Sequence, residues 1–209
     1  MRSSILVAAI AVAAPFTARA VEPGLEIALR TGFTLPFGSI DGSPSSGLSD
    51  AFTGFVPIGA ELGWRFTPNL FAGMSGSYAF GLAKNCPSAS SCSGHDASFG
   101  IELRSHALPD DRIDPWFGIG AGYEWFSTSN TIGGTTLDAN ADGVEFVHAQ
   151  LGTDLLTSRN VHVGPFIQFS LGQYRLVEFS SGGSTTRREI ANKVLHEFLT
   201  FGVRMSFLL

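Results

Sequence analysis

The chain has 209 residues and a formal net charge of −5, with 44% of residues hydrophobic and only 15% charged. An acidic balance argues against nucleic acid as a partner, and the length fits one domain. No stretch beyond residue 20 is apolar for long enough to form a transmembrane helix.

The first segment stands apart from the rest. Met1-Arg2-Ser3-Ser4 is followed by an apolar run over residues 5–14 and then by Ala18-Arg19-Ala20. A basic start, a short apolar core and an A-x-A ending describe a secretory signal peptide, with cleavage expected after Ala20. Residues 1–20 are therefore read as the signal and 21–209 as the mature domain.

Period-two alternation then runs through the mature chain. Strand one is expected over 25–37, with Leu25, Ile27, Leu29, Phe33 and Leu35 on one face and Glu26, Ala28, Arg30, Gly32 and Thr34 on the other. A stretch rich in Ser, Gly and Asp follows, 38–54. The clearest pattern spans 58–80. Ile58, Ala60, Leu62, Trp64 and Phe66 share one parity, and Gly59, Glu61, Gly63 and Arg65 the other. After Thr67-Pro68-Asn69, Leu70, Ala72, Met74, Tyr78 and Phe80 oppose Gly73, Ser75 and Ser77. Two is the strand period, Pro-Asn is turn chemistry, and arms of about ten residues suit tilted strands that cross a bilayer.

Strand four, 98–108, sets Phe99, Ile101 and Leu103 against Gly100, Glu102, Arg104 and His106. Strand five, 115–126, sets Phe117, Ile119, Ala121, Tyr123 and Trp125 against Gly118, Gly120, Gly122 and Glu124. Strand six, 144–155, sets Val147, Ala149, Leu151 and Leu155 against His148, Gln150, Gly152 and Asp154. Strand seven, 161–174, sets Val163, Ile167, Phe169 and Leu171 against Gly164, Phe166, Gln168 and Ser170. Pro165 cannot donate to a ladder, so a bulge or a missing bond is expected there. Strand eight, 194–209, sets Leu199, Phe201, Val203, Met205, Phe207 and Leu209 against Thr200, Gly202, Arg204 and Ser206. Its start competes with a helix over 188–200, since Ile190, Val194, Leu195, Phe198 and Leu199 also fit helical spacing.

The connections alternate. Long ones cover 38–54, 82–97, 127–142 and 175–193, and short ones cover 67–69, 109–114 and 156–160. Both ends of the mature chain then lie at the short-turn side, and an even number of strands lets the sheet close without an edge. The fold class is all-β: an eight-stranded antiparallel up-and-down transmembrane β-barrel. Export combined with this alternation points to the outer membrane of a diderm bacterium.

In such a barrel the apolar face meets lipid and the polar face lines the lumen. Trp64, Phe66 and Phe117 near the short turns, with Tyr78, Phe80, Tyr123 and Trp125 near the long connections, are read as aromatic girdles at the two interfaces. Glu26, Arg30, Glu61, Arg65, Glu102, Arg104, Glu124, Asp154 and Arg204 take the inward parity. Both signs are present, so ion pairs can cancel charge inside. Eight strands enclose a space that side chains fill, and a plugged lumen is expected. The inward glycines, Gly118, Gly120 and Gly122 among them, make room either for a narrow channel or for Phe71, Phe166 and the arginines.

The segments Trp64-Arg65-Phe66-Thr67-Pro68-Asn69-Leu70 and Pro115-Trp116-Phe117-Gly118-Ile119-Gly120-Ala121-Gly122-Tyr123-Glu124, with the alternation ending Phe207-Leu208-Leu209, resemble the small outer-membrane barrel superfamily. That group holds the OmpA-type transmembrane domain and the opacity-protein relatives. The resemblance implies insertion by the barrel assembly machinery, which reads the last strand. The family pattern ends in an aromatic residue, whereas here Phe207 stands two places before the end.

Cys86 and Cys92 in an exported chain are expected to form a disulfide, and C-x5-C without nearby histidine is poor zinc spacing. Asp138-Ala139-Asn140-Ala141-Asp142-Gly143 matches the first half of a calcium loop, yet Ala149 stands where the bidentate glutamate belongs. A solvated loop is the expected reading, with no metal and no cofactor. Related barrels include a lipid A deacylase and a palmitoyl transferase. Here His106, His148, His162 and His196 all take the inward parity, no histidine is read on the lipid face, and no G-x-S-x-G elbow occurs. The expectation is a non-enzymatic, monomeric barrel in membrane lipid. Its four external loops meet a surface ligand or host component, in adhesion or envelope integrity. A narrow solute channel is the second reading and a lipid-modifying enzyme the third.

Overall fold

The computed structural model describes residues 22–43, 47–84, 86–87, 90–158 and 160–209, so the expected signal peptide lies outside the described residues. The elements are β1 (Gly24–Gly38), α1 (Leu48–Ala51), β2 (Phe52–Thr67), β3 (Leu70–Ala83), β4 (Ser90–His106), β5 (Ile113–Ile132), β6 (Thr135–Ser158), β7 (Val161–Ser181), β8 (Ser184–Glu189) and β9 (His196–Leu208). Strands β1 to β7 pair antiparallel in chain order, β7 pairs with β9, and β9 returns to β1. Eight strands therefore close a ring with no free edge. The short helix α1 sits in the first long connection, where composition alone predicts no regular structure.

The pleat sorts the side chains as a membrane barrel requires. Leu62, Met74, Ile119 and Val203 point outward and are 46%, 47%, 45% and 51% exposed, whereas Arg65, Arg104 and Arg204 point inward and are each 1% exposed. A water-soluble barrel would show the opposite sorting. No helix among the described residues is long and apolar enough to cross a membrane.

Two of the four expected loops are instead sheet. β5 and β6 stay paired as far as Ile132 and Thr135, joined by Gly133-Gly134 with φ of +57° and +84°. β7 and β8 are joined in the same way by Gly182-Gly183, with φ of +56° and +85°. Positive φ at both central residues matches the twist of a two-residue hairpin turn, and Gly-Gly adopts it at no steric cost. The calcium-like run at 138–143 accordingly folds as part of β6, with successive side chains on opposite faces. β4 likewise begins at Ser90, inside the expected second loop, and pairs with β5 to Ser90 although it pairs with β3 only to His95.

These extensions make a wing that rises past the ring on one side. At its far border β7 changes partner. Its lower part, to Gly172, pairs with β9, and its upper part, from Leu176, pairs with β8. The competing helix at 188–200 does not form. Residues 184–189 are strand, the Ile190 amide donates to the Arg175 carbonyl (3.0 Å), and β9 starts at His196 rather than at 194. The ladder loses two pairings around Pro165 and gains no bulge. The β6–β7 ladder skips from Gly152–Phe166 to Leu155–Val163, while Pro165 stays in register with Val203 of β9.

Ile101, 66% exposed near the middle of the part of β4 that pairs with β3, reports on the outer solvent. Ile101→Arg is expected to destabilise the barrel by about 2–4 kcal/mol in lipid vesicles. Thr135→Arg on the wing is expected to cost less than about 0.5 kcal/mol. Urea unfolding of the two variants checks the contrast.

Candidate functional site

The lumen is built in layers from the inward residues of all eight ring strands. Nearest the short turns lies an ion-pair network. Arg104 Nη1 donates to Glu26 (3.2 Å), and its Nη2 donates to Glu61 (2.5 Å) and to Glu102. Arg204 donates to Glu26 (2.5 Å), Glu61 (2.9 Å) and Asp154 (3.1 Å). Arg65 Nε donates to Glu26 (2.8 Å). Arg30 lies 3.6 Å from Glu61 and donates to Gln168 (3.1 Å). Four guanidiniums thus face Glu26, Glu61, Glu102 and Asp154, a formally neutral set. Buried charges are tolerated only when paired and hydrogen-bonded in this way.

Aromatic rings pack the network from the sides. Arg104 lies 4.8 Å from the ring centres of both Phe71 and Trp116, close enough for a cation–π contact. Trp116 Nε1 donates to Asp154 (3.0 Å). Inward glycines make the space. A Cβ on Gly63 or on Gly73 would stand 2.6 Å from the Phe71 ring, and one on Gly202 would stand 2.6 Å from Phe166. His106 closes the short-turn end. Its Nε2 lies 3.0 Å from Arg65 Nη2 and its Nδ1 2.6 Å from Asp114 Oδ2. A guanidinium can only donate, so Nε2 accepts and Nδ1–H donates, which fixes the tautomer.

Glu124 shares the inward face but not the network. It sits higher, where Tyr174 Oη (2.5 Å) and His196 Nε2 (3.0 Å) donate to it. The rings of Tyr174 and His196 stack at 4.0 Å. His148 donates to Glu145 (2.9 Å) at a similar level. Between the two polar levels is a cavity of about 50 Å³, with Arg30, Ser77, Asp96, Glu145, Gln168 and Thr200 in its wall. That volume holds a few waters at most.

Above Glu124 the lumen turns apolar. Phe52, Phe55, Phe126, Phe198, Tyr174 and Val177 are buried in one cluster, with Leu48 of α1 and Ile190 laid over it. Phe55 meets Phe126 and Phe198 edge-on at 6.3 and 6.0 Å, a favoured ring geometry. The sequence reading misses this plug. Phe126, Tyr174 and Phe198 carry the inward parity of their strands, so the signal is there. Phe52 lies in the first expected loop.

On the outer face, Trp64, Phe66 and Phe117 lie toward the short turns, and Tyr78, Phe80, Tyr123 and Trp125 toward the wing. Tyr78 packs on Phe80 (5.1 Å) and Tyr123 on Trp125 (4.9 Å), and Tyr123 donates to Asp142 (2.8 Å). His106, His148, His162 and His196 are buried in the lumen. His95 departs from the expectation that no histidine faces outward. It lies on the outer side of β4, stacked on Tyr78 at 5.5 Å, because β4 continues through the expected loop. Cys86 and Cys92 form a disulfide with Cα atoms 5.9 Å apart, at the start of β4. Among the described residues no group of three or more His, Cys, Asp or Glu stands close enough to hold a metal ion.

No protein-family model matches the sequence, and no curated protein matches it. Solved structures do. A major outer membrane protein from Thermus thermophilus superposes with a TM-score of 0.60 at 8% identity, over 90% of this chain and 100% of that one. The outer membrane protein OprG of Pseudomonas aeruginosa gives 0.52 at 10% identity, over 89% and 97%. The chain has the fold of the small outer-membrane β-barrels. At such identities the likeness extends to architecture alone, and the lumen and the wing must be read from their own residues.

Removing one arginine from the network separates paired from unpaired burial. Arg104→Met leaves Glu26, Glu61 and Glu102 short of a partner and is expected to cost about 3–5 kcal/mol. Arg30→Met removes a looser contact and is expected to cost about 1–2 kcal/mol. Equilibrium unfolding in vesicles measures both.

Proposed function

We propose that the chain is an integral outer-membrane protein whose barrel is an anchor and whose water-facing wing carries a surface-interaction role, in adhesion or envelope integrity. The observation that carries this reading is the filling of the lumen at two heights. Nearer the short turns it is packed by the Arg104–Arg204 ion-pair network, and nearer the wing by the Phe55–Phe126–Phe198 cluster. A barrel closed twice has little to offer as a passage, while β5, β6, β7 and β8 build an ordered sheet past the ring. Loops and projections are where such folds carry specificity.

Further features support the placement. The outward rings of Trp64, Phe66 and Phe117 at one level, and of Tyr78, Phe80, Tyr123 and Trp125 at the other, suit anchoring at two lipid–water interfaces. The expected signal peptide and the outward apolar belt both suit export and insertion by the barrel assembly machinery. The similar solved structures are themselves outer-membrane proteins.

The second reading is a narrow channel, and the cavity beside Arg30 and Asp96 is what favours it. Planar-bilayer recording decides between the two. The anchor reading predicts no steady unitary conductance from the wild-type protein, and predicts that Phe55→Ala with Phe198→Ala still conducts little, because the ion-pair network stays closed. A steady wild-type conductance would establish the channel instead.

A further inference from the structure

We propose that the free edge of β8 is a docking strand for an extended, acidic segment of another protein. This rests on the reading of the wing as the water-facing end of an anchored barrel, and it names the surface and the partner chemistry.

Strand β8 is the border of the wing. Its six residues are all exposed, and among the described residues its backbone pairs with β7 alone. The two-residue Gly182-Gly183 turn makes Ser181–Ser184 the closing hydrogen-bonded pair. Counting on by twos, Thr186 and Arg188 also turn their backbone groups to β7, and the bond from the Ile190 amide to Arg175 (3.0 Å) continues the series. Thr185, Arg187 and Glu189 therefore direct N–H and C=O groups away from the sheet. An open row of this kind is what an added strand hydrogen-bonds to.

The side chains select the partner. Arg187 and Arg188 are adjacent and lie on opposite faces, with side chains 59% and 60% exposed. Their ion pairs are long, Arg187 with Asp142 and Arg188 with Asp41, both at 3.9 Å. Arg187 also stands opposite Glu178 in the ladder, and Arg188 lies 5.3 Å from the ring centre of Phe179. A strand laid beside β8 brings one side chain per face next to each arginine, so two consecutive acidic residues complement the pair. Thr186 pairs with Phe179, and its small side chain lets an apolar neighbour lean toward the open groove of Leu137, Ala139 and Phe179. A second copy is a poor occupant. Pairing β8 with β8 through the open row, about a two-fold axis at Arg187, sets Arg187 of one chain directly against Arg187 of the other.

The test uses the full chain refolded in detergent and a fluorescein-labelled peptide, Thr-Glu-Glu-Val-Thr-Thr, read by anisotropy. The proposal predicts saturable binding, weakened about tenfold or more when both glutamates are replaced by lysine. Thr185→Pro removes a backbone donor from the open edge and leaves the backbone bonds to β7 in place, at the cost of the hydroxyl contact to Ser180 (3.0 Å). It is expected to weaken binding about tenfold or more, whereas Thr185→Val, which loses the hydroxyl alone, is expected to bind as the wild type does. The double variant R187E/R188E is expected to prefer the lysine peptide. Unchanged heat-modifiable migration on gels verifies that each variant is folded. Absence of saturable binding, equal binding of both peptides, or full binding by Thr185→Pro would each overturn the proposal, the last by showing attraction through charge alone. An epitope tag inserted between Gly133 and Gly134 separates this from the underlying reading. A tag hidden on intact cells defeats the outward wing, whereas a stained tag without peptide binding defeats only the docking strand.

Discussion

Closing eight strands into a ring leaves a lumen about as wide as side chains need to fill it. The lumen faces of this chain carry charge, because the other face of each strand is given to large apolar side chains. Those two facts impose one constraint: every inward charge must find a partner inside the barrel. Arg104 and Arg204 meet it by sharing Glu26 and Glu61 between them. Arg65 completes Glu26 from the side. The residues come from β1, β2, β4, β6 and β9, so the network ties together strands that are not neighbours in the ring. Buried rings of Phe71, Trp116 and Phe166 fill the space around the network, but the charges themselves are held by pairing.

The wing end follows a different logic. There the inward positions are filled by phenylalanines, and Leu48 and Ile190 cover them. Water lies beyond, so an apolar cluster gains stability in the ordinary way. The strands that continue upward from this cluster do not need lipid to hold them. β5 to β8 pair with one another, and their faces carry threonine, serine and asparagine as well as Leu137 and Phe179. Anchor and projection are thus one continuous sheet, which makes the wing rigid relative to the membrane.

Much of this is legible in the sequence because the strand period is strict. Each of the eight ring strands is placed by it, and the facing of Leu62 against Glu61, or of Ile119 against Gly118, follows from parity alone. The errors arise where composition overrides period. Ser127 to Asp142 is polar and reads as loop, yet Ser and Thr pair well in a water-facing sheet, and the Gly133-Gly134 dipeptide is a hairpin signal. The same error hides the outward position of His95, since composition starts β4 too late. Glu124 groups with the other lumen charges by parity. Height along the barrel, which parity does not give, sets it apart with Tyr174 and His196.

Which solvent meets the apolar face is the question on which everything else turns, and the three tryptophans answer it directly. Trp64 and Trp125 are each 48% exposed on the outer face, whereas Trp116 is 3% exposed in the lumen. Single-tryptophan variants reconstituted in vesicles of brominated phospholipid should show strong quenching of Trp64 and Trp125 and little of Trp116. Quenching of Trp116 with protection of the other two would mean that the faces are assigned the wrong way round.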